Sequence, residues 1–184
     1  MSRPSLVVLL VEDDRHKMLI RRSLINLGVQ GHAIRVEQSP SGRGSAEAWV
    51  RTAYVKNVNA YRIRRAKAQS ALIVVIDADT RTVQERLKQL ADALADQAKP
   101  ALERHEQVAR LVPKRNIETW ILCLNDEKVD ERTDYKLEHR NWNALISRAA
   151  GALSAWTAEN GNVPAHCIES LRHGIADLKR LNLR

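Results

Sequence analysis

An unbroken apolar run that ends in acids constrains this chain more than any other feature in it. Leu72-Ile-Val-Val-Ile76 leads directly into Asp77-Ala-Asp79. A run of this length, rich in β-branched side chains, suits a strand buried on both faces, as in a parallel sheet. Such sheets bind ligands at the carboxyl ends of their strands, so Asp77 and Asp79 stand where chemistry is expected. On an extended backbone, side chains two residues apart share a side, and the two carboxylates are expected to converge on one cation. Hard oxygen ligands of this kind suit Mg²⁺ or Mn²⁺. The plainer reading makes the same acids caps of the helix that follows.

The pattern occurs a second time at the start of the chain. Residues 6–11 are wholly apolar and run into Glu12-Asp13-Asp14. A helix is expected next, with Met18, Leu19, Leu24 and Leu27 on one face and Gly28 as its stop. Residues 33–36 read as a short strand, 80–98 as a helix and 108–112 as another strand. Pro113 then opens a helix that carries Ile117, Ile121 and Leu124 on one side and Glu118 in its first turns. The helix dipole alone would favour a carboxylate there. Residues 125–139 read as a polar loop, and helices over 142–159 and 165–182 close the chain. The alternation of strands and helices predicts an α/β fold: a central, mostly parallel sheet flanked by helices, with helices at the carboxyl terminus.

Charge narrows the choice of partner. The formal net charge is +8 and the pI about 9.9, which favours an acidic partner such as nucleic acid. Residues 38–45 form a Gly/Ser-rich loop around Arg43. Beyond it Arg62, Arg64, Arg65 and Lys67 lie close to Tyr54 and Tyr61. Cations interleaved with stacking rings are the usual footprint of nucleic-acid binding, although a solvated helix face has the same composition. No apolar stretch nears the roughly 20 residues of a membrane span. The run at 6–11 is too short for a signal peptide. Cys123 and Cys167 read as two reduced thiols. A cytoplasmic protein without membrane partners is expected. The histidines at 16, 32, 105, 139, 166 and 173 show no metal-ligand spacing, so zinc is not.

Two families place acids in this way. Val11-Glu12-Asp13-Asp14 with a helix ending at Gly28 resembles the opening of a response-regulator receiver, in which Asp77 would accept phosphate. The interval from Asp13 to Asp77 is long for that pattern, and Lys99-Pro100 follows Asp77 too soon. Glu12 together with Asp77-Ala-Asp79 resembles the Toprim domain, which carries a Glu after its first strand and Asp-x-Asp after a later one. Asp13 stands where that family usually has Gly. Pro113-Lys-Arg-Asn-Ile-Glu118-Thr-Trp120-Ile-Leu is similar to the Glu-x-Trp-Leu-Leu segment of small Toprim-like proteins in phage-defence loci, and Asp134-Tyr-Lys136 is similar to a further stretch of them.

This resemblance implies a Mg²⁺- or Mn²⁺-dependent nuclease, the effector of an antiviral defence system, acting on DNA or RNA beside an ATPase partner. It implies metal ligation by Asp77 and Asp79, Glu12 as ligand or general base, and Glu118 as a fourth acid. Lys136 or an arginine of the basic segment would stabilise transition-state charge. Residues 1–140 would be the Toprim-like core, with a basic insertion around 38–67. Residues 141–184 would be a helical extension packed on the same domain. The alternative from another class is a regulatory or binding module whose acids are structural or accept phosphate.

Overall fold

Strands of branched apolar residues can bury both faces only if helices cover the sheet on both sides, and this dictates the architecture. The computed structural model describes residues 4–40 and 45–183. Strands β1 (Leu6–Val11), β2 (Ile34–Gln38), β3 (Ser70–Val75) and β4 (Val108–Leu111) form one sheet in the order β2-β1-β3-β4. Every neighbouring pair is parallel. The expected α/β class with its flanking and carboxyl-terminal helices is the observed one, and the sheet is parallel throughout.

Alternation along the two central strands sorts the core into two layers. Val7, Leu9 and Val11 of β1 and Ala71, Ile73 and Val75 of β3 face helices α1 (Asp14–Asn26), α4 (Ile117–Cys123), α5 (Trp142–Thr157) and α6 (Glu169–Lys179). Val8, Leu10, Leu72, Val74 and Ile76 face α2 (Ala46–Arg65) and α3 (Val83–Ala95). The two last helices thus belong to the main core. Trp120 of α4 donates from Nε1 to Ser170 Oγ at 2.7 Å, and a Cβ at Gly174 would collide with its indole. Among the described residues no helix is long and apolar enough to cross a membrane.

Two expectations about the chain path need correction. The basic segment is no insertion: residues 46–65 are the crossover helix between β2 and β3. Val50, Tyr54, Val55, Val58 and Tyr61 bury one side of it against the sheet, as a parallel connection requires. The helix after β3 starts at Val83, because Thr82 and Glu85 form a capping box there. Asp77 and Asp79 are therefore not its caps.

Candidate metal centre

The register of the central strands creates the site. Val11 pairs with Val75, so the residues that leave β1 and β3 meet at the carboxyl edge. The backbone N–H of Asp77 donates to Glu12 Oε1 at 2.6 Å. Asp77 continues the side of β3 that holds Ile73 and Val75, which is the face covered by α1 and α4. It consequently meets His16 of α1 and comes within electrostatic reach of Glu118 of α4. Glu12, His16 and Asp77 each offer a ligand atom, and these atoms lie within 4.8 Å of one another. Ligands of one octahedral Mg²⁺ at roughly 2.1 Å stand about 3–4.2 Å apart, so the Glu12 and Asp77 carboxylates of this cluster need only slight closure to share a metal ion.

His16 is the functional residue that sequence reading misses. Its ring is wholly buried. Nδ1 stands 2.8 Å from Asp13 Oδ1 and Nε2 stands 2.9 Å from Asp77 Oδ1. Asp13 also caps α1, accepting from the backbone N–H groups of Arg15 and His16. An imidazole with a carboxylate at each nitrogen donates from both, which only the imidazolium can do. Burial pushes its pKa down, but Asp77 and the bonds to both acids outweigh that and hold it well above the ordinary value. Asp13 is pushed up by burial, yet its bond to His16 carries it well below the carboxylate range.

Burial, then the charge of Asp77, pushes Glu12 up to about 7. Burial also raises Asp77, with His16 opposing. Glu118 is 1% exposed; one of its oxygens pairs with Arg15, whereas Oε2 is buried with no hydrogen-bond partner. An orphaned carboxylate oxygen beside two more carboxylates fits a cation. Arg15 itself lies over the ring of Trp142, 4.6 Å from its centroid. Lys136 Nζ stands 3.9 Å from Asp13 Oδ2. Burial lowers its pKa, and Asp13 and Glu118 reverse this to a net rise. The Asp134-Tyr-Lys136 stretch reaches the site through Asp134, which accepts from the side chains of Arg115 and Asn116 and from Lys136 N.

Asp79 departs from the expected convergence. Its φ of +55° is left-handed, so the extended geometry ends before it and its carboxylate turns to the other layer. There Arg86 of α3 holds it at 3.2 Å and also pairs with Glu47 of α2. Asp79 is not among the three residues whose ligand atoms cluster.

The basic segment lies at the wrong end of the sheet for this site. Arg62 donates to both oxygens of buried Glu106, at 2.8 and 2.9 Å, and to the carbonyls of Pro100 and Ala101. Arg65 pairs with the same glutamate. Glu106 precedes β4, and Tyr61 OH accepts from Gln107 N, so these arginines mark the amino-terminal edge, about 20 Å of strand from Asp77. They serve the fold, because a buried glutamate needs partners. Arg64 points toward Arg35 of β2, and burial with that charge lowers its pKa. Lys67 is exposed just past α2. Arg43 lies outside the described residues.

Fold and site together define a parallel α/β protein with a buried acid–histidine cluster, able to hold a metal ion, at the carboxyl edge of its sheet. Comparison of the chain with protein-family models, with curated proteins and with solved structures finds no match.

Proposed function

We propose that the chain is a Toprim-like nuclease that uses Mg²⁺ or Mn²⁺ to cleave phosphodiester bonds of DNA or RNA. The observation that carries this reading is the cluster of Glu12, His16 and Asp77 at the ligand-binding edge of a parallel sheet, with the unpartnered oxygen of Glu118 on a side chain within electrostatic reach of Asp77. The three carboxylates would hold the metal. A bound divalent ion supplies an activated water and neutralises charge at the scissile phosphate.

The chain's own side chains divide the remaining work. Glu12, raised to about 7 in the metal-free protein, would serve as a ligand or as the general base. His16 is a positioning residue: with Asp13 at one nitrogen and Asp77 at the other, it sets the direction of the Asp77 carboxylate. Lys136 brings a fixed positive charge to the mouth of the site, where phosphate charge would develop. On the resemblance alone, the proposal includes work beside an ATPase partner in phage defence.

The test is incubation of the purified protein with plasmid, single-stranded DNA and transfer RNA, each with Mg²⁺, Mn²⁺ or chelator. Cleavage of at least one substrate is expected with metal only, and none by Asp77→Asn. Intact substrates throughout, or cleavage that persists in chelator, would overturn the reading.

A further inference from the structure

Two cavities at the carboxyl edge are lined in part by the same two segments of chain. One, of about 370 Å³, is lined by Asp13, Asp14, Arg15, Glu118 and Lys136 and belongs to the metal centre. The other, of about 640 Å³, is lined by Lys114, Asp130, Glu131, Arg132 and Thr133. The segments 114–118 and 130–136 each contribute to both, Glu118 and Lys136 to the first and Lys114 and residues 130–133 to the second. Asp134 ties the segments together between the cavities, through Arg115 and Asn116 on one side and Lys136 N on the other.

The second cavity holds two acids and two cations, yet the acids are consumed locally. Asp130 accepts from Arg132 N, Thr133 N and Thr133 Oγ1. Glu131 accepts from Ser170 N at the start of α6. Among the described residues, neither Lys114 nor Arg132 has a carboxylate oxygen within 4.0 Å. The Lys114 ammonium donates to the carbonyl of Arg81, and the Arg132 side chain is exposed with no hydrogen bond to any of the described residues. A forked guanidinium with no side-chain partner among the described residues and an ammonium held only by a main-chain carbonyl, beside a phosphodiester-cleaving centre, match the oxygens of a neighbouring phosphate.

We infer that Lys114 and Arg132 bind a phosphate of the nucleic-acid chain that flanks the one at the metal centre, the strand crossing the Asp134 tie from one cavity to the other. This rests on the nuclease reading and replaces the basic segment of α2 as the substrate surface. It also commits the fold to one direction of substrate approach, along the β4 side of the carboxyl edge.

Binding of a fluorescent single-stranded DNA oligonucleotide, titrated in chelator over a range of salt, tests it. Each phosphate contact on a single strand adds about 0.7 to the slope of log K against log salt. Lys114→Ala/Arg132→Ala, which removes both cations from that one phosphate, should lower the slope by about 0.7. Arg132→Ala alone should lower it by about half as much, in a side chain that makes no hydrogen bond to the described residues, which guards against misfolding. Lys56→Ala/Lys99→Ala removes the same charge elsewhere and should leave the slope as in wild type. A slope unchanged in the first two variants, or lowered equally by the third, would overturn the inference. A protein that behaves as expected here but cleaves nothing with metal keeps this surface and loses the nuclease reading. One that cleaves with an unaltered slope loses the surface alone.

Discussion

His16 and Asp77, 61 residues apart, stand Nε2 to Oδ1 at 2.9 Å with both side chains shut off from solvent. Crowded acids would be expected to repel one another, and the removal of one to relieve the protein. The structure instead pairs four acids of the region with cations, His16 with Asp77, Arg15 with Glu118, Lys136 with Asp13 and Arg86 with Asp79, while Glu12 accepts from the backbone N–H of Asp77. Asp77→Ala would strand a buried imidazolium with one of its two partners gone. Loss of one member of a buried pair costs about 3 kcal/mol or more. Asp77→Asn keeps an acceptor and should cost far less. Denaturant melts of the two variants check this, and equal stability would remove His16 from the account of the site.

The pH dependence of stability has a definite sign. Glu12 is raised from 4.5 to about 7, so its contribution is complete below 4.5 and lost as pH climbs through 7. His16 is raised above 6.5, so its contribution is complete below 6.5 and lost above its folded value. Both make the metal-free protein weaken from mildly acid to mildly alkaline pH. A metal selects the deprotonated carboxylates and should reverse the trend. Melting temperatures at pH 5.5 and 8.5, in chelator and in Mg²⁺, read this directly. Glu12→Gln should flatten the chelator curve, which separates the site from the general relief of charge as pH nears the pI.

The basic segment offers a contrast. Arg62→Ala leaves Glu106 buried with only the half-exposed Arg65 beside it. Stability should fall by about 2 kcal/mol, while the salt dependence of nucleic-acid binding stays as in wild type. A stable Arg62→Ala protein with a flatter slope would return these arginines to the substrate surface.

Treatment with acetyl phosphate and Mg²⁺ separates a nuclease from a receiver. Asp77 is 4% exposed and one of its oxygens is engaged by His16, a poor position for attack on a small phosphodonor. The intact mass should not change. A gain of about 80 Da at Asp77, one phosphoryl group, would favour the receiver reading.

What was legible in the sequence is the strand-end pattern. Apolar runs at 6–11 and 72–76 announced parallel central strands, and acids directly after them announced the edge where the site lies. Their register then brought Glu12 to Asp77 without any further signal. Asp79 was misread because alternation holds only while the backbone stays extended, and its left-handed φ is set by the turn into α3. Arg62 was misread because a cation count cannot reveal the buried Glu106 that it answers 44 residues away. His16 was missed because a lone histidine has no pattern of its own; its role exists only once α1 packs against the end of β3.

The central claim is that Glu12 and Asp77 form one metal centre, and Mn²⁺ binding followed by electron paramagnetic resonance tests it most directly. Wild-type protein at pH 7.5 should take up Mn²⁺ and suppress the signal of the free ion, and Mg²⁺ should compete. Glu12→Gln and Asp77→Asn, both with melts that show a folded protein, should lose this uptake. Uptake that is equal in all three proteins, or absent from wild type, would contradict the account.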